Sequence, residues 1–186
     1  MPESFLGDGL IFEETLPAAW TPGPLAEGSH LARFNADNQQ LLSAEASLDD
    51  VHVLDALKDE SPALLHELQR LEYKMNILLK LIAELSVRYS AVPPAHRVKI
   101  SARAVEWFTE QVPPVGETGL LWLYINPALA QPLKIPASVI GERSENNLRV
   151  AQIRFEGLSD AVVELLEKLI FRHHRRLIAG ARLAAP

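Results

Sequence analysis

Apolar residues between Ser61 and Tyr89 recur at alternating spacings of four and three residues. Such a repeat keeps one apolar seam along a helix and turns that seam toward a partner helix. Ser61 is a favourable N-cap and Pro93 prevents continuation, so the pattern predicts a helix of roughly 30 residues, about 45 Å long. With Leu68 at position a, the seam consists of Leu64, Leu68, Leu71, Met75, Leu78, Ile82 and Leu85.

The apolar face of this predicted helix is wider than a two-stranded coiled coil requires. Leu65 and Leu79 fall at position e and Leu81 falls at position g, where two-stranded coils usually carry polar residues. A wide face suits three or four helices, so we predict a homo-oligomer larger than a dimer, and specifically a tetramer. The alternative is a long amphipathic helix that packs on its own domain.

Short runs rich in β-branched and aromatic residues follow Pro94, and one precedes the heptad helix. Their number and spacing predict a small barrel or sandwich. Two runs have clear patterns, because Leu120–Ile125 is wholly apolar and predicts burial on both faces, whereas Leu148–Phe155 alternates as a half-exposed strand does. The other predicted strands are Gly9–Leu16, Val98–Ser101 continued by Ala104–Phe108 after a bend, and Pro132–Ile140 followed by a turn at Gly141-Glu142.

A terminal helix is predicted to begin after Ser159, a favourable N-cap, and to end at Gly180. Its last turns carry Arg172, Arg175 and Arg176. We interpret these arginines as solvated charges that suit the negative end of the helix dipole, and as a candidate partner surface.

The segment between the first strand and the heptad helix lacks a strong period. We predict mostly loop there, with a short helix over Asn38–Ser43 and a second helix that begins at Ser47 and ends near Lys58. The chain then divides into a strand and loop at residues 1–46, a helical insertion at 47–92, and a β-rich part with the terminal helix at 93–186.

Composition restricts the classes of function. The 186 residues include no cysteine, which excludes disulfides and thiolate metal sites. A net charge of −6 argues against binding to nucleic acid or to an anionic membrane. The chain has no run of 18 apolar residues and no basic N-terminal region, so we expect a cytoplasmic protein without a membrane span or signal peptide.

Signatures of catalysis are absent from the sequence, including G-x-S-x-G, the P-loop and H-E-x-x-H. His173 and His174 are adjacent on a predicted helix, so their side chains diverge by about 100° and are poorly placed to share a metal ion. We therefore predict that the protein is not an enzyme and needs no cofactor or metal, and that His173 is a core or interface residue.

The order of segments after the heptad helix resembles the PilZ domain. Ala137–Gly141, Arg149–Leu158 and a terminal helix that includes Phe171–Leu177 follow one another as in that family, over about residues 97–177. The resemblance implies an α+β fold, in which a six-stranded β-barrel with a C-terminal helix carries Gly9–Leu16 as its first strand. The inserted heptad helix is similar to that of the tetrameric PilZ proteins of xanthomonads, and implies an oligomeric coiled-coil bundle.

PilZ domains usually bind the bacterial second messenger cyclic di-GMP through R-x-x-x-R ahead of the barrel and [D/N]-x-S-x-x-G at a strand bend. The second motif aligns with Lys99, Ser101 and Ala104. An ammonium group cannot accept the hydrogen bonds that the Asp or Asn of the family accepts, and alanine resists conformations open to glycine. No Lys or Arg precedes Arg33, so the first motif is missing where the family places it.

The resemblance and these departures from it predict a degenerate PilZ domain that does not bind cyclic di-GMP. The protein would act by oligomerising and by contacting an unidentified protein partner, in the control of bacterial motility or virulence, without nucleic acid or membrane. One alternative is a cyclic di-GMP receptor that uses Arg97, Lys99 and Arg103. A literal R-x-x-x-R does occur at Arg172–Arg176, in the terminal helix. A nucleic-acid binder built on those arginines is opposed by the acidic composition.

Overall fold

The computed structural model describes residues 5–7, 9–48, 66–71, 73–75, 77, 78, 81, 92–126 and 131–183. Six antiparallel strands form a closed barrel in the order β1-β2-β3-β6-β5-β4, which confirms the predicted α+β barrel with a C-terminal helix. The strands are β1 (Phe12–Pro22), β2 (Ala95–Ile100), β3 (Ala104–Phe108), β4 (Thr118–Leu123), β5 (Leu133–Glu145) and β6 (Leu148–Phe155). The helices are α1 (Gly28–Leu48) and α2 (Asp160–Leu183).

Strand β1 closes the barrel by pairing with two neighbours. Its first half pairs with β2, where Phe12 lies opposite Ile100, and its second half pairs with β4, where Ala18 lies opposite Leu123. Pro17 stands where the partner changes, and its carbonyl accepts a bond of 3.0 Å from the Tyr124 amide. Pro17 has no backbone N–H, and this costs least at the point where one partner strand is replaced by the next. Strand β1 therefore continues through Pro17 to Pro22 and does not end at Leu16 as predicted.

The core fills the barrel with alternate strand residues and continues under the two helices. Val98, Leu133 and Ile153 are fully buried inside the barrel, and Leu42 of α1 and Leu166 of α2 cover it. Cores of this kind form when one face of each strand and one stripe of each helix are apolar.

Helix α1 replaces the loop and short helix that were predicted between β1 and the heptad segment. Its buried stripe is Asn38, Leu41, Leu42 and Glu45, so the helical period is present but half of its members are polar. Asn38 exchanges two hydrogen bonds of 2.9 Å with the backbone of Lys134 on β5.

Two helix boundaries also differ from prediction. Ser47, predicted as an N-cap, lies in the last turn of α1, and its hydroxyl donates to the Ser43 carbonyl at 3.0 Å. The rest of the helix predicted to end near Lys58 lies outside the described residues. Ser159 does cap α2, because its hydroxyl accepts the Val162 amide at 3.4 Å. Gly180 does not end this helix, which continues to Leu183.

Strand β5 passes through the predicted turn at Gly141-Glu142. A β-bulge between Val139 and Gly141 changes the register there, and the strand continues to Glu145. The reversal is made instead by Asn146 and Asn147, whose φ angles are 51° and 66°. Asparagine tolerates this left-handed region, as a two-residue hairpin turn of type I′ requires.

Two strand predictions on the other side of the barrel need correction. Strand β4 alternates, with Leu121 and Leu123 in the core and Leu120 and Trp122 half-buried on the other face, so burial on both faces was wrong. Strands β2 and β3 are two antiparallel partners joined by a bend, and not one strand continued.

The described residues of the heptad segment, 66–71, 73–75, 77, 78 and 81, are helical. Its other proposed contact residues, Leu64, Leu65, Leu79, Ile82 and Leu85, lie outside the described residues. Among the helices that the structure describes, none combines the length and apolarity needed to cross a membrane.

Candidate ligand and partner sites

The bend between β2 and β3 contains the residues that align with the ligand motif. Ser101 is buried, and its amide and hydroxyl both donate to the carbonyl of Ala104, at 2.9 and 3.3 Å. Ala104 is buried and pairs with Arg154 of β6. The bend is therefore closed by its own hydrogen bonds, and the serine hydroxyl proton is already used within the turn.

Lys99 lies on the outer face of β2 and contacts a carboxylate. Its Nζ is 3.2 Å from Oε1 of Glu145 at the end of β5. Arg97, two residues earlier on the same face, donates from Nε to Glu13 at 2.7 Å. Both cations also lie over the ring of Phe108, at 4.5 Å for Arg97 and 5.2 Å for Lys99. The two cations are thus held by an aromatic ring and by carboxylates of this chain.

A second group of charges continues this cluster onto β3 and β5. Arg143 donates to both oxygens of Glu106, at 2.9 and 2.7 Å, and contacts Glu145 at 2.6 Å. Gln152 adds a bond of 3.2 Å to Glu106. We call the whole set the outer charge network: Glu13, Arg97, Lys99, Glu106, Arg143 and Glu145. Its three cations and three carboxylates sum to zero.

The network lowers the pKa of two carboxyl groups, those of Glu106 and Glu145. Burial alone would raise the pKa of Glu106, but the hydrogen bonds from Arg143 and Gln152 outweigh it and leave that pKa below its ordinary value. The bonds from Arg143 and then Lys99 lower the pKa of Glu145. These two glutamates therefore stay charged, and their cation partners Arg143 and Lys99 stay compensated.

Sequence reasoning missed this network, although a signal for it exists. Arg97 and Lys99 are two residues apart, as are Arg143 and Glu145, so each pair lies on one face of its strand. Strand order then brings the pairs together across β3 and β6, which no local pattern indicates.

Arg103 differs from the other two cations considered for cyclic di-GMP. It is exposed at the bend, and within the described part of the chain its side chain makes no ion pair or hydrogen bond. The structure therefore brings Arg97 and Lys99 together in a compensated network and leaves Arg103 apart.

The basic end of α2 is only partly solvated. Arg175 and Arg176 are exposed, but Arg172 is half-buried and donates from Nη1 to the Ala46 carbonyl of α1 at 3.1 Å. The prediction that all three arginines are solvated was therefore wrong for Arg172, which joins two helices.

His173 occupies an interior position between α2 and β1. Its ring meets that of Phe12 edge-on at 4.1 Å, and its Nε2 is 4.0 Å from Oε2 of Glu14. These residues line a cleft of about 320 Å³ together with Glu45 and Arg172. Among the described side chains, no three of the metal-ligating types lie close enough to hold an ion.

The heptad segment presents apolar side chains to solvent in the single chain. The exposed fractions are 55% for Leu71, 58% for Met75, 58% for Leu78 and 50% for Leu81. Large apolar side chains in a row of this kind are typical of an interface and not of a free surface.

Comparisons with known proteins agree with this fold. The family model for the "atypical PilZ domain, cyclic di-GMP receptor" matches residues 42–183. A structure of a pathogenic protein from Xanthomonas campestris, described as a tetrameric PilZ domain self-assembled via an unusual helical bundle, superposes with a TM-score of 0.74. It is 27% identical, and the match covers 92% of each chain.

The PilZ domain of YcgR from Escherichia coli with c-di-GMP matches at a TM-score of 0.36 and 18% identity, over 50% of this chain and 82% of that one. No curated protein matches. PilZ domains are signalling and receptor domains. The family match over most of the chain confirms the resemblance that the strand order indicated, and the protein belongs to the atypical PilZ domain family.

Proposed function

We propose that the protein is a non-enzymatic signalling scaffold that assembles through its heptad segment and acts by contacting other proteins. The observation that carries the proposal is the exposure of Leu71, Met75, Leu78 and Leu81 at seam positions and at a g position of one helix. Burying one leucine contributes roughly 1.5–3 kcal/mol, so several in each chain can outweigh the entropy lost on association. The assembly we expect is a tetramer.

The Xanthomonas campestris relative supports this assembly, because it is a tetramer built by a helical bundle and its match covers 92% of this chain. That relative is also described as a pathogenic protein, which supports a role in the control of virulence. We extend the proposal to motility and to the bacterial cytoplasm, as the family resemblance implies.

We further propose that cyclic di-GMP is not the ligand. The ligand position is occupied by contacts within the chain, since Lys99 is paired with Glu145 and the Ser101 hydroxyl is bonded to Ala104. Residues 1–11 contain no arginine that could contact a phosphate or a guanine face. The alternative is a cyclic di-GMP receptor with non-standard residues, favoured by the description of the family model and by the unpaired Arg103.

Titration calorimetry with cyclic di-GMP separates the two candidates. We expect no binding heat at micromolar protein and ligand. Lys99→Asp combined with Ala104→Gly should also fail to bind, because the arginine pair would still be missing. A dissociation constant in the low micromolar range or tighter for the unmodified protein, abolished by Arg103→Ala, would establish the alternative.

Sedimentation velocity on the same material tests the assembly. We expect a single species of four chains, and a species of 20.6 kDa at micromolar concentration would contradict the scaffold.

A further inference from the structure

A groove lies between the segment that precedes β1, the β2–β3 bend and the outer side of α2. It has a volume of about 410 Å³, and its walls include Leu10, Arg103, Glu167 and Phe171. The ion pairs of the outer charge network involve none of these residues.

The apolar part of the groove is only half covered by the chain. Leu6 and Ile170 are buried, but Phe171 is 51% exposed and Leu10 is 42% exposed. An aromatic and an aliphatic side chain that remain accessible on facing walls can hold an apolar side chain of a partner.

The groove also contains an uncompensated cation. Among the cationic side chains of the described strands and the bend, Arg103 is alone in contacting neither a carboxylate nor an aromatic ring. The others are Arg97, Lys99, Lys134, Arg143, Arg149 and Arg154, each of which has such a partner. An exposed guanidinium beside an apolar groove is complementary to a carboxylate next to an apolar anchor.

We propose that this groove docks a segment of a partner protein that carries an aromatic or branched aliphatic side chain next to an Asp or Glu. The apolar side chain packs between Leu10 and Phe171, and the carboxylate accepts hydrogen bonds from Arg103. The inference rests on the proposed function, for which it supplies the partner surface and the chemistry of the partner.

A peptide fits the groove better than a cyclic dinucleotide does. Cyclic di-GMP carries two phosphates, whereas the described residues that line the groove include one cation, Arg103. The second phosphate would be left without a cation in the described lining of the groove.

Peptide selection on the full chain tests the proposal. A displayed library of random dodecapeptides is selected on immobilised protein, and the enriched peptide is synthesised with a fluorescein label for anisotropy titration. We expect enrichment of an aromatic or branched aliphatic residue adjacent to Asp or Glu. Phe171→Asp should weaken binding at least about tenfold, as for other central anchors of an interface.

A charge exchange makes the test specific for Arg103. Arg103→Glu should weaken the acidic peptide about tenfold or more, and a peptide with Lys in place of its acidic residue should recover the affinity for this variant. Arg33→Glu, also exposed but on α1 outside the groove, is the matched control and should leave binding unchanged.

Several results would overturn the docking site. The selection could give no binder, or binders that neither Phe171→Asp nor Arg103→Glu weakens. Cyclic di-GMP could compete with the peptide for the groove. Phe171→Asp could also give a smaller assembly in sedimentation, which would assign the groove to a second copy of the chain. Far-ultraviolet circular dichroism verifies that both variants fold. A selection without a binder, or binders that neither variant weakens, would remove the docking site and leave the tetramer and the absence of cyclic di-GMP binding untouched, so the two proposals fail separately.

Discussion

At the scale of single residues, Glu106 is a buried charge of the barrel that requires hydrogen-bond donors. It is a carboxylate with only 6% of its surface exposed, and it is stabilised by two bonds from Arg143 and one from Gln152. A buried charge with so many donors contributes to stability only while it remains ionised, because neutralising it leaves the donors without their acceptor.

We predict that Glu106→Gln lowers the free energy of unfolding by about 1.5–3 kcal/mol at pH 7, the usual contribution of a hydrogen bond to a charged group. The folded pKa of Glu106 lies below its ordinary value of 4.5, so this contribution is complete above pH 4.5 and is lost as the pH falls through the folded pKa. Urea unfolding from pH 3 to pH 7 measures the difference, which should shrink toward acid.

Glu164→Gln is the control for that experiment. Glu164 forms an exposed pair with Lys168 one turn along α2. Its removal should leave the urea midpoint unchanged at every pH. If the two substitutions lower the free energy of unfolding equally, the burial of Glu106 adds no stability to its hydrogen bonds.

At the scale of elements, α1 and α2 are joined to each other and to the barrel by polar side chains. Asn35 donates to the Gly157 carbonyl and accepts the Ser159 amide, both at 2.9 Å, so α1 holds the turn from which α2 begins. At the other end, Arg172 of α2 reaches the Ala46 carbonyl of α1. The two helices therefore behave as one layer.

We predict that Arg172→Ala lowers the free energy of unfolding by about 1–3 kcal/mol, because it removes a charged donor from a partly buried carbonyl. Arg175→Ala, on an exposed position of the same helix, should have no measurable effect. Guanidinium unfolding followed at 222 nm measures both. If Arg172→Ala leaves the free energy of unfolding unchanged, Arg172 is a solvated residue of the helix end, as the sequence predicts.

At the scale of the whole molecule, the barrel has a complete core, whereas the apolar residues that the structure describes in the heptad segment are exposed in one chain. Association that buries the seam would stabilise the folded state by mass action. Stability should then depend on protein concentration, which a barrel that folds alone would not show.

We predict that the melting temperature rises with protein concentration between about 1 and 100 µM, and that Leu71→Asp with Leu78→Asp abolishes this dependence and gives monomers. Tyr73→Asp is the control, because Tyr73 is 67% exposed and lies at position f, away from the seam. Differential scanning calorimetry at several concentrations measures the effect. A melting temperature that is constant for the unmodified protein would contradict the assembly.

The sequence predicted those elements whose period is carried by apolar residues. Strand β6 alternates from Ala151 onward, and its core positions Ile153 and Phe155 are buried as expected. Helix α1 was missed because Asn38 and Glu45 occupy half of its buried stripe and are satisfied by long-range contacts with Lys134 and Asn126. A single sequence does not show such contacts, since the partners come from distant segments.

The same reason explains what could be predicted of the candidate sites. Lys99 and Ala104 differ from the residues of the family motif, and the sequence alone shows this difference, so the loss of the motif was inferred directly. That Lys99 is neutralised by Glu145, while Arg103 has no carboxylate partner among the residues that the structure describes, depends on strand pairing and on the continuation of β5 past Gly141. The groove beside Phe171 depends on the packing of α2 against the bend.

The two-residue turn at Asn146-Asn147 has a consequence for the order in which the barrel folds. It joins β5 and β6 directly, whereas β1 must meet β2 across residues 23–94. Loop-closure entropy grows with length, so the β5–β6 hairpin forms at lower entropic cost than closure by β1. The hairpin should be structured in the transition state and β1 should join later. Substitutions at Val150 should therefore slow folding, whereas substitutions at Leu16 should mainly accelerate unfolding.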